Sequence, residues 1–424
     1  MQARLQDEAD VRKRLVPVVL GADILGYTFV REFHSLYGLT SIVLAEADVK
    51  ATSSSRFSDY RILGSSIEDE DFLISYLTEL GKEIEREGRL GIIVGSGDWY
   101  ARLLSEHKAE LEPWFVIPYI SFDLLDRLTQ KEYFYRLCEE LNIPYPETHL
   151  FDCSDPDAEI PAESFRYPLI AKPSNSALYH YAEFPGKKKI FEVETPSELK
   201  EIFEAMKASS YDRELIVQDF IPGDDDGLRT ISVFTDAEGD AVMTCSGRVV
   251  LQDHSPLAIG NPVVILSERV EPAIADACRL LKHVEYRGFA NIDVKFDPRD
   301  GTYRFFEVNT RPGRNSFYVT LGGVDFVRLI VEEFVLGGVV HGGDATDEFA
   351  YACVPPMVVR RTVKDVDLRE RTLAMYRSGK ASFPLFYAPD SLVQRFWAAT
   401  MYFNQIRKFK RYVWDTGGKQ AASL

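Results

Sequence analysis

The decapeptide RFFEVNTRPG, residues 304–313, decides the reading of this chain. It begins as a strand entering a core, with Phe305 and Phe306, and leaves through Glu307, Asn309 and Arg311. Side chains alternate along a strand, so a carboxylate, an amide and a guanidinium emerge on one side. Upstream lies NIDVKFD, residues 291–297, joined to TYRFFEVNT by the turn-forming DPRDGT, a hairpin signal. Antiparallel pairing brings Asp293 near Glu307 and Asn309 as an all-oxygen cluster. Such hard donors suit Mg²⁺, which keeps waters and is held together with substrate phosphates. Two such ions bridged by Glu307 would clamp a polyphosphate. Arg311 follows with a fork of N–H donors suited to a phosphoryl group in transfer.

Working outward, LIAKPS (169–174) is an apolar strand that delivers Lys172, a point charge suited to phosphate, to its end. LIVQDFIPGDDDG (215–227) is a second apolar strand, with free backbone groups expected over Gln218, Asp219, Phe220 and Ile221 and the acids Asp224 to Asp226 beyond. Backbone groups can read a purine edge, and a carboxylate can hold ribose hydroxyls.

The remainder of the chain frames these pieces. Residues 16–125 alternate strands (VPVVLG, TSIVLAE, LGIIVGSGD) with helices (YTFVREFHSLYG, DFLISYLTELGKEIEREG), which predicts a parallel, doubly wound α/β domain. DRLTQKEYFYRLCEELNIPYPET predicts one helix stopping before Pro144, and TPSELKEIFEAMKAS another. Residues 226–311 read as antiparallel strands. A helix, GVDFVRLIVEEFVLG, follows, and a helical tail starts near Ser391. The expected division is 1–125, 126–220, 221–345 and a largely helical extension, 346–424.

Composition sets the outer limits. The 424 residues are 46% hydrophobic and 27% charged, the balance of a globular protein able to bury a large core. A net charge of -17 speaks against nucleic acid as a partner, which calls for a basic face. The N-terminal MQARLQDEADVRKRL has no apolar signal-peptide core, and no run approaches a membrane span. Five cysteines, with no C-x-x-C, fit reduced thiols in a cytoplasmic protein rather than a zinc site.

In the order LTQKEYFYRLCEELNIPYPET, LIAKPS, LIVQDFIPGDDD, ANIDVKFD and FFEVNTRPGRNSFYVT, the chain resembles the ATP-grasp superfamily of carboxylate–amine ligases over roughly residues 16–338. Within it, KPSNS, IPGDDD and RPGRNSFYVT look most like the D-aspartate ligases, which attach D-aspartate to the lysine of peptidoglycan precursors. The resemblance implies a pre-ATP-grasp α/β domain, a two-lobed ATP module and a C-terminal extension. It places Lys131 and Lys172 on the ATP phosphates, and Gln218, Asp219, Phe220 and Ile221 at the adenine hinge. Asp226 falls at the ribose, Asp293, Glu307 and Asn309 at magnesium, and Arg311 at the transferring phosphoryl group. Arg314 and Asn315 would face the acceptor carboxylate.

The glycine-rich loop of many relatives is replaced by SNSALYHYAEFPGKKK, where Ser174, Asn175 and Ser176 would supply donors, with Lys187 to Lys189 nearby. For the substrate, Arg248 and His254 are candidates, and Gly21, Ala22 and Asp23 would help to seat the amino acid. Three alternatives remain open. An L-amino-acid (dipeptide) ligase keeps the chemistry and changes the substrates. A nicotinamide oxidoreductase would use VVLGADILGY, which lacks the G-x-G-x-x-G pattern. A non-catalytic ATP-binding protein would have no need for the Asp293, Glu307, Asn309 and Arg311 set. One ATP module and no duplicated half argue against carbamoyl-phosphate synthesis. The aromatic, basic tail SLVQRFWAATMYFNQIRKFKRYVW is either packed on the body or in peripheral contact with a membrane.

Overall fold

The computed structural model describes residues 5–174, 179, 182–188, 190–255 and 258–415. Asn175, Ser176 and Lys189, expected in the closing loop, lie outside them.

The N-terminal part is a five-stranded parallel sheet of β1 (Leu15–Leu20), β2 (Ser41–Ala45), β3 (Ser58–Ile62), β4 (Leu90–Gly95) and β5 (Phe115–Val116), in the order β3-β2-β1-β4-β5. Every residue of β1 and β4 is buried, because helices cover both faces. Leu73, Leu77, Leu80 and Ile84 of helix Glu70–Arg86 pack on one side. Leu25, Phe29, Val30 and Phe33 of helix Ile24–Tyr37 pack on the other. That second helix starts where the Asp23 carboxylate accepts from the backbone N–H groups of Leu25 and Gly26, and stops at Gly38 in the left-handed region.

Next comes an antiparallel sheet of β6 (Thr148–Asp152), β7 (Leu169–Pro173), β8 (Phe191–Val193) and β9 (Glu214–Asp219), ordered β6-β9-β7-β8. Helix Pro196–Lys207, opened by a Thr195/Glu198 capping box, covers one of its faces with Leu199, Phe203 and Met206. The largest sheet contains β10 (Leu228–Thr235), β11 (Ala241–Gln252), β12 (Pro262–Ser267), β13 (Gly288–Asp297), β14 (Thr302–Asn309), β15 (Gly343–Asp344), β16 (Ala350–Ala352) and β17 (Ala381–Ser382). Its path is β14-β13-β10-β11-β12-β16-β17, with β15 beside β11. Ile231, Val233, Ile292, Val294 and Phe305 form one face under helices Lys131–Glu140 and Glu271–His283.

The opposite face of this sheet is divided. Its far half is welded to the N-terminal domain through Phe289, Phe326 and Phe29, whose rings meet at 5.6 and 5.7 Å. Its near half carries the polar residues of the site. The C-terminal extension closes back onto the first domain, where Asp390 accepts from the Tyr27 hydroxyl at 2.7 Å, the Ser55 hydroxyl at 2.6 Å and the Arg56 N–H at 3.0 Å.

The structure differs from the sequence expectation in two places. The single helix expected before Pro144 is two, Phe122–Thr129 and Lys131–Glu140, because Gln130 takes an extended conformation. Within residues 226–311, read as antiparallel strands, helix Glu271–His283 interrupts the run between β12 and β13. The tail is helical as expected, Leu392–Phe409, begun by Ser391 as cap and tied to the body by Lys408 on Asp253 at 2.7 Å.

Candidate functional site

In the β13–β14 hairpin Asp293 stands directly opposite Glu307, and Asn291 opposite Asn309. A bulge between Asp293 and Val294 shifts the register there, and β-bulges re-aim side chains at such sites. Asn309 donates its amide to the Asp293 carboxylate at 3.2 Å. The break at Gln130 makes Lys131 the first residue of its helix. Its ammonium donates to Glu307 at 2.7 Å and to the Phe306 carbonyl at 3.0 Å.

The smaller antiparallel sheet reaches the same place from above. Gln218 of β9 donates to the Tyr135 hydroxyl and to the Thr148 hydroxyl, both at 2.8 Å, and its carbonyl receives Lys172 of β7 at 3.5 Å. Tyr135 in turn donates to the Phe306 carbonyl at 3.4 Å. Hence Lys131, Lys172, Gln218, Asp293, Glu307 and Asn309, read separately from sequence, form one cluster between the two sheets. Tyr135 was not anticipated; a tyrosine four residues after Lys131 on the same helix face was its signal.

Charges in this cluster are out of balance. Burial, reinforced by Glu307, pushes the Asp293 carboxyl up to about 7. Burial, reinforced by Lys131, pulls the Lys172 ammonium down to about 8. Lys131 holds the Glu307 carboxyl below its ordinary range. A carboxyl made reluctant to ionise beside a second carboxylate fits a divalent cation, and a lysine made reluctant to stay charged fits an anion. Two carboxylates and one amide do not complete a protein cage. Among the described residues no group of three or more His, Cys, Asp or Glu side chains does so. Magnesium fits this set with the remaining positions left to water and phosphate.

At the cluster's other edge Arg311 leaves β14 and meets the N-terminal domain. Its Nε and Nη2 donate to the two Asp98 carboxylate oxygens at 2.7 and 2.8 Å, and Nη1 donates to the Pro312 carbonyl at 2.9 Å. Arg314 lies 3.7 Å from the Asp23 carboxylate. Gly21, at the end of β1 with φ +89°, lies so close to Ser96 that a Cβ there would come within 2.1 Å of the hydroxyl. These residues gather at the C-terminal ends of β1 and β4, the crevice where parallel sheets bind ligands. Asp98 was missed. It closes LGIIVGSGD, and its only local signal was a glycine turn after a buried strand.

Other expected site residues are engaged elsewhere. Asp226, expected at a ribose, and Arg248, expected at a substrate carboxylate, hold each other at 3.0 Å. His254 lies 3.1 Å from Asp225, whose hydrogen bond raises the imidazole pKa above its usual range. Asp219 turns its carboxylate to Arg299 at 2.6 Å. Phe220 lies beneath the Lys295 ammonium at 5.6 Å, and that ammonium also bonds the Ile221 carbonyl at 2.8 Å. Ser174 gives its hydroxyl to Glu214 at 2.8 Å. Asn315 is buried and donates weakly to the Thr230 hydroxyl at 3.4 Å.

A hairpin of paired carboxylates facing two lysines across two sheets, beside a parallel α/β domain, defines a class, and comparison with known proteins gives the same one. Residues 130–331 match the family model described as the carbamoyl-phosphate synthase L chain, ATP binding domain. The chain belongs to the ATP-grasp carboxylate–amine ligases, enzymes that form a C–N bond and release ADP. Among particular relatives, a D-aspartate ligase of Enterococcus faecium (strain Aus0004) is 32% identical over 411 residues, covering 94% of this chain and 97% of that protein. Solved structures share the fold. An L-amino acid ligase from Bacillus licheniformis matches with a TM-score of 0.55 at 16% identity, over 78% of this chain and 75% of that one. An ADP complex of N5-carboxyaminoimidazole ribonucleotide synthetase matches with a TM-score of 0.55 at 15% identity, over 80% of each chain.

Proposed function

We propose that this ligase activates D-aspartate as an acylphosphate and joins it to the lysine amine of a peptidoglycan precursor stem peptide, in the cytoplasm. The near-full-length similarity to a D-aspartate ligase supports that substrate. The observation that carries the chemistry is the Asp293–Glu307 pair set against Lys131 and Lys172. In this reading residues 1–125 seat the amino acid, 126–220 and 221–345 are the jaws that hold ATP, and 346–424 borders them.

Asp293, Glu307 and Asn309 would hold magnesium, taken as two ions, which when bound neutralises and aligns the phosphates. Lys131 and Lys172 offset phosphate charge from the opposite side. The Gln218 amide, fixed by Tyr135 and Thr148, keeps β9 and helix Lys131–Glu140 in register, so that the hinge backbone can receive adenine. Arg311 stabilises charge that develops as the carboxylate attacks the γ-phosphorus, and the amine then displaces phosphate from the acyl carbon. Little covalent work falls to the protein, since positioning and charge neutralisation dominate phosphoryl transfer. Closure of the jaws excludes water, which would otherwise hydrolyse the acylphosphate.

No helix among the described residues is long and apolar enough to cross a membrane. Helix Leu392–Phe409 nevertheless leaves Leu392, Val393, Phe396 and Phe403 exposed beside Arg407, and this supports a peripheral contact with anionic lipid. Vesicle flotation at low salt tests it, and failure to bind removes it.

ADP release measured against D- and L-amino acids, with and without a lysine-containing muropeptide precursor, tests the function. Dependence on D-aspartate plus precursor is the expected result. Turnover with L-amino-acid pairs alone would establish the dipeptide ligase instead.

A further inference from the structure

Asp98 and Asp23 both present carboxylates at helix starts beside an arginine, yet they are committed differently. One oxygen of Asp23 is held by the Leu25 and Gly26 N–H groups as the cap of its helix. Its second oxygen stands 3.7 Å from Arg314, too far for a hydrogen bond, and the buried Arg314 Nε has no hydrogen-bond partner among the described residues. Asp98 is free of backbone duty, because Gly97 caps its helix without a side-chain bond. Its hydrogen bonds go to Arg311 alone among the described residues.

The exposures are just as unequal. The Asp98 side chain is 75% exposed and that of Arg311 only 14%. A nearly enclosed guanidinium is therefore gripped in fork-to-fork fashion by a carboxylate that can swing into water. Such bidentate geometry is what arginine offers any carboxylate, including that of a substrate.

We propose that Asp98 is the ammonium-binding residue of the amino-acid subsite, and that in the free enzyme it occupies Arg311 in place of the substrate carboxylate. On binding, the carboxylate that will attack the γ-phosphorus takes the Arg311 fork, which places the guanidinium where charge develops in the transfer, and the displaced Asp98 accepts the substrate ammonium. Charge bookkeeping favours an acidic amino acid. Two arginines, with Arg314 short of a partner, match two carboxylates, and one mobile aspartate matches one ammonium. Asp23 cannot exchange in the same way without uncapping helix Ile24–Tyr37. The inference rests on the ligase reading above and adds to it the residue that reads the amine.

Two probes that differ only in the ammonium decide the matter: D-aspartate and its deaminated analogue, succinate. Binding of each is measured by calorimetry on the full chain with ATP analogue and magnesium present, for the wild type, Asp98→Asn and Asp98→Glu. Asp98→Asn should weaken D-aspartate at least tenfold and leave succinate unchanged or tighter, since Arg311 is then free. Asp98→Glu, which keeps the charge, should recover part of the D-aspartate affinity. Unweakened D-aspartate binding in Asp98→Asn, or parallel weakening of both probes as expected of a mere bridge between domains, would overturn the proposal. If wild-type enzyme selects another amino acid in the ADP-release panel, that compound and its deaminated analogue become the probes. The functional assignment then fails while the Asp98 test stands.

Discussion

The β13–β14 hairpin and the loop before β10 both carry clustered acids, and they behave in opposite ways. Around the β13–β14 hairpin, Asp293 is pushed up to about 7 and Lys172 pulled down to about 8, each made reluctant to carry its charge. In the Asp224–Asp226 loop the acids are already answered: Asp226 by Arg248 at 3.0 Å, Asp225 by His254 at 3.1 Å, Asp224 by Lys364 at 3.2 Å. Side chains held away from their charged forms in a cleft are what a bound ligand can complete. In the proposed function the hairpin is the end that meets the phosphates, whereas the loop, richer in carboxylates, has each acid paired within the protein.

The comparison is broken most severely by Glu307→Gln. It removes the carboxylate that pairs with Lys131 at 2.7 Å and faces Asp293. ADP release should fall at least about a thousandfold, roughly 4 kcal/mol of barrier, with thermal stability preserved. A smaller effect is expected from Lys172→Met. Loss of one charge-assisted contact costs about 1.5–3 kcal/mol, so the KM for ATP should rise roughly 10- to 150-fold, read from initial rates. In the wild type that KM should also rise above about pH 8, as Lys172 loses its proton. Arg248→Met, at the paired loop, should change kcat/KM by no more than about threefold and stability by less than about 1 kcal/mol, because a partly exposed pair contributes little.

A separate prediction concerns the weld between domains. Glu32 is buried, accepts from the Thr320 hydroxyl and from the Val327 N–H, and burial raises its carboxyl pKa from 4.5 to about 8. The folded state thus holds the proton more tightly than the unfolded chain. The stability this confers is complete below pH 4.5 and is lost as pH rises through about 8. Glu32→Gln, neutral throughout, should flatten the fall in melting temperature between pH 6 and 9 seen by calorimetry.

Much of the hairpin was legible because strand alternation and a short turn are local rules, and they place Asp293, Glu307 and Asn309 without knowledge of the rest of the chain. The parallel domain was legible from its apolar strands and capped helices for the same reason. Pairings between distant segments were not. Arg311 meets Asp98 across 213 positions of sequence, and Glu32 meets Thr320 across 288; no periodicity announces either. The break at Gln130 also escaped, since the apolar pattern continues through it while the backbone does not. Asp226 and Arg248 were each read alone, and their 3.0 Å pairing, across 22 positions, was not legible from either.

The account stands on where divalent metal settles when nucleotide is bound. Manganese substituted for magnesium in crystals grown with a non-hydrolysable ATP analogue gives an anomalous signal that locates it. Peaks in direct contact with Asp293 and Glu307 are predicted. Peaks at Asp224–Asp226, or none near the hairpin, would contradict the account.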